Sequence, residues 1–474
     1  MRQEKRGNAT ASPLWPEIGA EVEADVASQA QKDSDLDLGF AESTLFKLLY
    51  FSFYSSAGVL FPYYALFFQS KGFSKSAIGM LCMIPNMTSF IFAPLINYFA
   101  DKWKRNFEVM HISLLLSGVL NFVLLYFSDS LTTVTILVFL SSIVKCPVSP
   151  LIDSMVVSSL KDASDYGHMR QFGAMSFGIF SLGGGIMLTV GHEWSFPLLF
   201  ILATTFFITT SIVIFMIQKR RNKYGTSAII NEAAESLGSQ KVSKTAQYSI
   251  TEWISNNLAS IMIFSLIVLS SGIGSGVIDA FLFVRLEEIG GNGILCGISR
   301  LITCISEVPF FQVAGPLQKR IGTFNTLALC QLAFVIRFYY YSVLTDPWYV
   351  LPAEILHGFT FAVNWNTSVV FADEIAPPEM HSTIQSILES IHWGLGSGAG
   401  AFVAGILYDR YGAVFVFQCC ALLALIGVVF ALIASYFVEG LDRNMDKNTS
   451  ANISKDIEFN KISVEDEDIV DFVQ

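Results

Sequence analysis

Apolar residues in this chain gather in continuous runs of about 20, not in the spaced stripe of a surface helix or the alternation of a half-buried strand. Wound as helix at about 1.5 Å per residue, such a run spans the roughly 30 Å of hydrocarbon in a bilayer. Twelve runs are predicted as helices, near 43–69, 76–100, 108–127, 132–159, 169–191, 195–217, 257–284, 293–314, 323–344, 348–372, 382–408 and 413–438. Polar residues concentrate in the short breaks and in three longer stretches, 1–42, 218–253 and 441–474. Backbone groups in lipid must be satisfied within their own segment, which leaves helices as the structure these runs can take. The pattern predicts an all-α integral membrane protein with twelve transmembrane helices. They divide into two six-helix bundles, 43–217 and 254–440, joined by a flexible linker over 218–253.

Composition supports that reading. Of 474 residues 53% are hydrophobic and 15% charged, whereas soluble domains carry about 25% charged residues. A soluble enzyme is excluded on that ground. The net charge of −11 sits mostly in the two terminal stretches, read as solvated, disordered tails, so it implies neither a basic partner nor nucleic acid. The seven cysteines lie inside apolar runs without metal-ligand spacing, and no Gly-x-x-x-x-Gly-Lys occurs. No metal, cofactor or nucleotide-driven pumping is expected.

Lysine and arginine fix the expected orientation. With both termini cytosolic, the inner loops receive Lys102, Lys104, Arg105, Lys161, Lys219, Arg220, Arg221, Lys223, Lys241, Lys244, Lys319 and Arg320, and the outer loops only Lys71, Lys75, Arg285 and Arg410. The halves also echo one another. Gly72 precedes Ile78-Gly79 as Gly290 precedes Cys296-Gly297, a shared seven-residue spacing that suits an internal duplication with a site between the repeats.

Ionisable residues inside the runs carry the candidate chemistry, because a charge at the bilayer centre costs at least about 2.5–3.5 kcal/mol unless it faces a cavity or a partner. In the first half these are Lys145, Asp153 and Arg170; Lys145 and Asp153, eight apart, fall on roughly one helical face. Asp153 and Arg170 can grip a solute or merely join two helices. The second half holds Asp279, Arg300, Glu307, Arg337, Glu354, His357, Glu389 and His392. Glu354 and His357 are spaced i, i+3, and Gln385, Glu389 and His392 i, i+4, i+7, so each set is expected on one face. Four carboxylates against two arginines leave two acids without a fixed cation, and a buried unpaired carboxylate takes up a proton. Asp279 either packs helices together through Arg300 or joins the coupling set. Arg285, Glu287 and Glu288 read as a solvated rim. Trp365 and Trp393 can stack on a sugar ring or base, although an aromatic in a helix is more often packing.

Three turns carry a family signature. Asn97-Tyr98-Phe99-Ala100-Asp101-Lys102-Trp103-Lys104-Arg105 resembles the Gly-x-x-x-Asp-Arg-x-Gly-Arg-Lys loop of the major facilitator superfamily, with Asn97 in place of the first glycine and the second glycine missing after Trp103. Gly315-Pro316-Leu317-Gln318-Lys319-Arg320-Ile321-Gly322 has lost the acid, and Gly405-Ile406-Leu407-Tyr408-Asp409-Arg410-Tyr411-Gly412 fits in full. Within the superfamily, Pro150-Leu151-Ile152-Asp153-Ser154, Tyr166-Gly167-His168-Met169-Arg170, Glu354–Ala362 and Ala376-Pro377-Pro378-Glu379 are similar to the branch holding the sugar/proton and nucleoside/proton symporters and the major-facilitator-domain-6 proteins.

The resemblance implies the major facilitator fold, a monomer, and alternating access to a central site. It implies gating by Asp101, Lys102 and Arg105 at one end and by Asp409 and Arg410 at the other. It assigns Asp153 and Arg170 to the solute; Lys145, Trp365 and Trp393 are further candidates for solute binding by residue type and position. Glu307 and Arg337 match the proton-coupling acid and arginine by helix and type; the helix-ten pair, Glu354 and His357, is reversed relative to the branch's His-x-x-Glu. Asp279, Glu389 and His392 complete the candidate coupling set. The expected function is proton symport of a small polar solute, such as a sugar, nucleoside or small carboxylate, across the plasma membrane. The rivals are a proton-independent facilitator and a membrane receptor that keeps the fold without moving solute.

Overall fold

Ser74 starts one helix by accepting a hydrogen bond from the Ala77 N–H, and Asn292 starts another through the Leu295 N–H. Each follows a left-handed glycine, Gly72 (φ 80°) or Gly290 (φ 91°), so the two turns that echo in sequence are built alike. The computed structural model describes residues 43–157, 166–190, 195–235, 250–376 and 381–436, which are helical with no strand among them. The expected tails, the middle of the connector and Lys161, Lys241 and Lys244 lie outside the described residues.

The helices are α1 (Ser43–Ser70), α2 (Lys75–Lys102), α3 (Asn106–Tyr126) and α4 (Leu131–Val157), then α5 (Tyr166–Val190), α6 (Ser195–Glu235), α7 (Ile250–Glu288), α8 (Gly293–Ile321) and α9 (Thr323–Val343). Next comes α10 (350–375), an interrupted rod that passes through a π-helical stretch at Gly358–Val363. The last apolar helix is 51 residues long. Gly412, with φ 79° and ψ 173°, divides it into α11 (381–411) and α12 (413–434). Ten of the described helices are long and apolar enough to cross a membrane as they stand. Dividing the last at Gly412 and adding α10 gives the twelve rods of the predicted fold.

Burial distinguishes the two ends of these rods. At the end where α1 meets α2 and α7 meets α8, one continuous core joins both halves, from Val59, Tyr63 and Phe67 through Phe281, Leu295 and Tyr408. At the end that carries Asp101 the core splits in two. One part, including Phe46, Leu114, Val156 and Ile217, belongs to α1–α6, and the other, including Phe264, Leu327, Phe371 and Ala431, to α7–α12. The halves therefore meet at the Lys75 end and part at the Asp101 end, leaving a cleft. Backbones make the seal. A Cβ built on Gly79 of α2 would strike the Ala401 carbonyl of α11, and one on Gly185 of α5 would strike Gly293 of α8. Small residues let helices in lipid approach this closely.

Three expectations are corrected. Helix α4 is broken at Cys146 and Pro147, where proline supplies no N–H to the ladder. Both residues nevertheless turn towards α1, Asp153 to Tyr50 and Lys145 to the pocket lined by Ser56, so the break does not separate their faces. The connector expected at 218–253 is helical at both margins, with α6 continuing to Glu235 and α7 starting at Ile250. Finally, a π-helical stretch over Ser390–Ser397 turns the chain between Glu389 and His392. Glu389 is exposed while His392 is 1% exposed, so the two do not share a face.

Candidate functional site

In the first half, α4 and α5 bring Asp153 and Arg170 together, with Nη1 2.8 Å from Oδ2. Tyr50 of α1 donates its hydroxyl to the other carboxylate oxygen at 2.6 Å. The guanidinium lies over the Tyr54 ring, 5.6 Å from its centroid, and that ring rests where a side chain on Gly173 would sit. The Arg170 and Asp153 side chains remain 45% and 27% exposed, so the pair faces the cleft. Charge-assisted bonds of this kind hold a planar geometry and still leave guanidinium donors for a solute.

The second half buries its counterpart. Arg337 of α9 and Glu354 of α10 are each 1% exposed and meet at 3.0 Å. Arg337 also donates to Thr360 Oγ1 at 2.7 Å and to Tyr341 Oη at 3.0 Å, and Tyr341 donates its hydroxyl to Glu354. Arg337 Nη1 stands 3.3 Å from His357 Nδ1, and His357 Nε2 3.2 Å from Glu307 Oε1. A guanidinium can only donate, so Nδ1 accepts and the ring proton is assigned to Nε2, directed at Glu307. Glu307 therefore ends a buried chain on a histidine and has no arginine in contact. The charge of Arg300 and, to a lesser degree, that of Arg170 across the cleft act on Glu307, and Arg170 also acts on Glu389.

Other candidates are placed as follows. Asp279 of α7 pairs with Arg300 of α8 at 2.9 Å, which makes it a helix-to-helix link whatever else it does. Lys145 lines a small pocket with Ser56, Tyr64, Asn121 and Ser141, apart from the Asp153 pair. Trp365, His392, Trp393 and Phe361 form one aromatic cluster, with Trp365 6.2 Å from Trp393 and His392 4.7 Å from Trp393. Two π-helical stretches, one on each contributing helix, shape it, a placement common at functional sites.

At the closed end Asp409 accepts from the Lys75 N–H at 2.9 Å and the Ser76 N–H at 2.7 Å, as well as from the Ser76 hydroxyl, and so caps α2 of the opposite half. Around it Lys75 Nζ meets Glu288 at 3.1 Å, Gln69 donates to Glu287 at 2.8 Å, and Tyr408 donates to Glu288 at 2.6 Å. Arg410 is exposed. At the open end Asp101 accepts from Asn106 Nδ2 at 2.7 Å, Lys102 lies over Tyr98, and Arg105 meets Glu108 at 3.3 Å. All three contacts stay within one half.

A model of the MFS_1 like family matches residues 44–419. The chain belongs to the MFS_1 like family. This MFS_1 like protein is 23% identical over 401 residues to the maltose permease of Geobacillus stearothermophilus, covering 83% of this chain and 94% of that one. It is 30% identical over 176 residues to the major facilitator superfamily domain-containing protein 6-like protein B of Xenopus laevis, covering 36% of this chain but only 28% of the frog protein's length. The fold matches the crystal structure of the nucleoside transporter NupG, with a TM-score of 0.64 at 16% identity over 82% of this chain and 97% of that one. A bacterial homolog of the lysosomal transporter Spinster, in an inward-facing and occupied conformation, matches with a TM-score of 0.63 at 11% identity over 83% and 96%. The MFS_1 like protein is thus a multi-pass membrane transporter of the major facilitator type, not an enzyme.

Several site residues of the MFS_1 like protein escaped the sequence reading because they carry no charge. Tyr50, Tyr341 and Thr360 look like ordinary helix residues, and only packing brings them to Asp153, Arg337 and Glu354. Glu287 and Glu288 were expected on a solvated rim, yet both bond across the halves. Tyr341 could have been found, since it lies four residues after Arg337 and shares its face.

Proposed function

We propose that this protein is a proton-coupled symporter of a small polar organic solute, working by alternating access between bodies 43–217 and 254–440. The closed Lys75 end faces outward and the open Asp101 end faces the cytosol, with both termini inside, in accord with the lysine and arginine count. The solute binds in the cleft against Asp153 and Arg170, with Trp365 and Trp393 offering faces for a ring. The relatives' names, a maltose permease and a nucleoside transporter, support a sugar- or nucleoside-sized cargo.

One observation carries the coupling: Glu307 is 16% exposed and bonded only to His357. Among the described residues, Asp279 and Glu354 of that half each pair with an arginine. A carboxylate so placed is costly when ionised and is relieved by a proton. Arg300 of the same half acts on Glu307 more strongly, but Arg170 is the cation whose charge reaches Glu307 from the opposite half, and it supplies the link to solute. Solute that draws Arg170 to itself leaves Glu307 better off protonated, so the two loads travel together.

The test is uptake into proteoliposomes with and without an inward proton gradient, over a panel of sugars, nucleosides and small carboxylates. Glu307→Gln is expected to abolish uphill accumulation while counterflow, which needs no net proton movement, persists. Wild-type accumulation by Glu307→Gln would remove Glu307 from the mechanism. Accumulation independent of the gradient in the unmodified protein would make it a facilitator.

A further inference from the structure

The antiparallel seam between α1 and α4 runs on past the Asp153 pair. Tyr50 bonds Asp153, Tyr54 approaches Ser149 at 3.5 Å, and a pocket next along the seam is lined by Ser56, Ala57, Leu60, Phe61, Tyr64, Ser141 and Lys145, with Asn121 of α3 and Phe207 of α6. The break at Cys146 and Pro147 ends the first segment of α4 on Lys145. There the ammonium stands among hydroxyls and an amide, and the described residues place no carboxylate on it. Asn121 is 3% exposed; its Oδ1 is within 3.5 Å of the Tyr64 hydroxyl, and its Nδ2 has no acceptor. The three arginines of the cleft each have their own acid. Lys145 does not.

We infer that this pocket is the anion subsite of the transporter, that Lys145 and Asn121 receive a carboxylate of the solute there, and that the cargo is an organic acid rather than a neutral sugar or nucleoside. The inference rests on the reading of the cleft as the solute site. The chemistry is one of surplus donors. An ammonium and a free amide N–H converge with hydroxyls that can donate or accept, and the group they lack is a negatively charged acceptor. The buried amide donor goes unsatisfied without one, and the half-buried ammonium has no carboxylate beside it among the described residues. The pocket has room for about one water-sized group, so it admits one carboxylate oxygen and not the whole end group. Lys145 lies eight residues from Asp153, roughly 12 Å of helix at about 1.5 Å per residue. A solute engaging both is about as long as a disaccharide, with its carboxylate at the Lys145 end.

The measurement is thermal unfolding of the purified full-length protein in lipid nanodiscs, titrated with acetate, D-glucuronate and lactobionate and with their neutral counterparts acetamide, D-glucose and lactose. At least one carboxylate is expected to raise the midpoint while its counterpart does not. Lys145→Gln is expected to weaken that carboxylate by at least about tenfold, the lower end of what a hydrogen bond to a charged group contributes. Asn121→Asp sets an acid beside Lys145; it should raise the midpoint without ligand and erase the carboxylate response, so the test does not depend on a damaged fold. The inference fails if no carboxylate stabilises, or if the response survives in Lys145→Gln or Asn121→Asp. A chloride arm at matched ionic strength separates sources: stabilisation by chloride equal to that by the best carboxylate, and lost in Lys145→Gln, would make this a halide site and overturn the cargo assignment. Uphill, proton-driven uptake of a neutral solute with no carboxylate binding would leave symport standing and sink this inference alone. Carboxylate binding at Lys145 without proton-driven uptake would do the reverse.

Discussion

The turn at 97–104 and the turn at 405–412 have the same plan and opposite surroundings. Both place an acid at the fifth position, Asp101 or Asp409, and both end on a left-handed residue, Lys104 with φ 54° or Gly412 with φ 79°. Asp409 reaches across the halves to two backbone N–H groups and a hydroxyl of α2, amid Lys75, Glu288 and Tyr408. Among the described residues the Asp101 side chain bonds only Asn106, five residues along its own chain. An acid at the start of another helix gains from that helix's dipole as well as from the bonds. From this difference we propose that the signature is a conditional lock, made at the shut end and idle at the open one. Its energy therefore acts on the balance between states.

The largest break comes from keeping the shut end from shutting. Gly185 of α5 and Gly293 of α8 touch backbone to backbone, with no room for a Cβ on either. Gly185→Leu must part these helices, and overpacking of this kind costs about 1–3 kcal/mol or more. Turnover is expected to fall by at least about fivefold. Single cysteines introduced at the Lys75 end should label faster, since that end no longer seals. Normal turnover in the variant would mean that the halves do not close on this contact.

Next in size is Asp409→Asn. It keeps one acceptor oxygen at α2 but removes the charge and one of the two oxygens now in use. Asp409 lies in an exposed turn, so the loss is about 1 kcal/mol, a roughly fivefold change in state ratio. Labelling at the Lys75 end should rise and labelling in the cleft at the Asp101 end should fall. Asp101→Asn sharpens the comparison by reversing the sign. Its cost falls on the state that is not seen here, so cleft labelling should rise, and by less, since that cleft is already open. If both variants shift labelling the same way, the two turns are not opposed locks.

How much of this was legible depended on whether charge or packing carried the information. Twelve apolar runs, the paired glycine turns and the buried acids could be read directly, because lipid penalises any other arrangement. The partner of each acid was harder. Arg337 and Glu354 lie 17 residues apart on different helices, and no periodicity relates them. The role of Glu287 and Glu288 was hidden because their partners, Gln69, Lys75 and Tyr408, lie in distant turns. Local departures from α-helix were hidden too. Pro147 hinted at the break in α4, but Pro85 and Pro94 sit inside an unbroken α2, so proline alone did not decide. The π-helical stretch that separates Glu389 from His392 had no sequence sign at all.

The smallest expected effect concerns the residue that ends the signature. Its second glycine has a physical reason at all three turns, since Lys104, Gly322 and Gly412 each have positive φ, at 54°, 88° and 79°. A side chain in that region costs about 1–2 kcal/mol, and Lys104 bears this strain where the signature has glycine. Lys104→Gly removes it, but glycine also loosens the unfolded chain, which costs about 0.4–1 kcal/mol. The two terms nearly cancel, and the unfolding midpoint should move very little. Gly412→Ala has the same offset with the opposite sign, but φ 79° with ψ 173° is a region essentially reserved for glycine, so there the strain should outweigh the entropy gained. Thermal unfolding of both variants in nanodiscs is the check, with Gly412→Ala expected to fall and Lys104→Gly to stay within about 0.5–1 kcal/mol of wild type. A clear loss in Lys104→Gly would show that the lysine side chain, and not only its backbone, supports the turn. The open-end lock would then need that cation, and its likeness to the glycine-ended lock at Asp409 would stop at the fifth position.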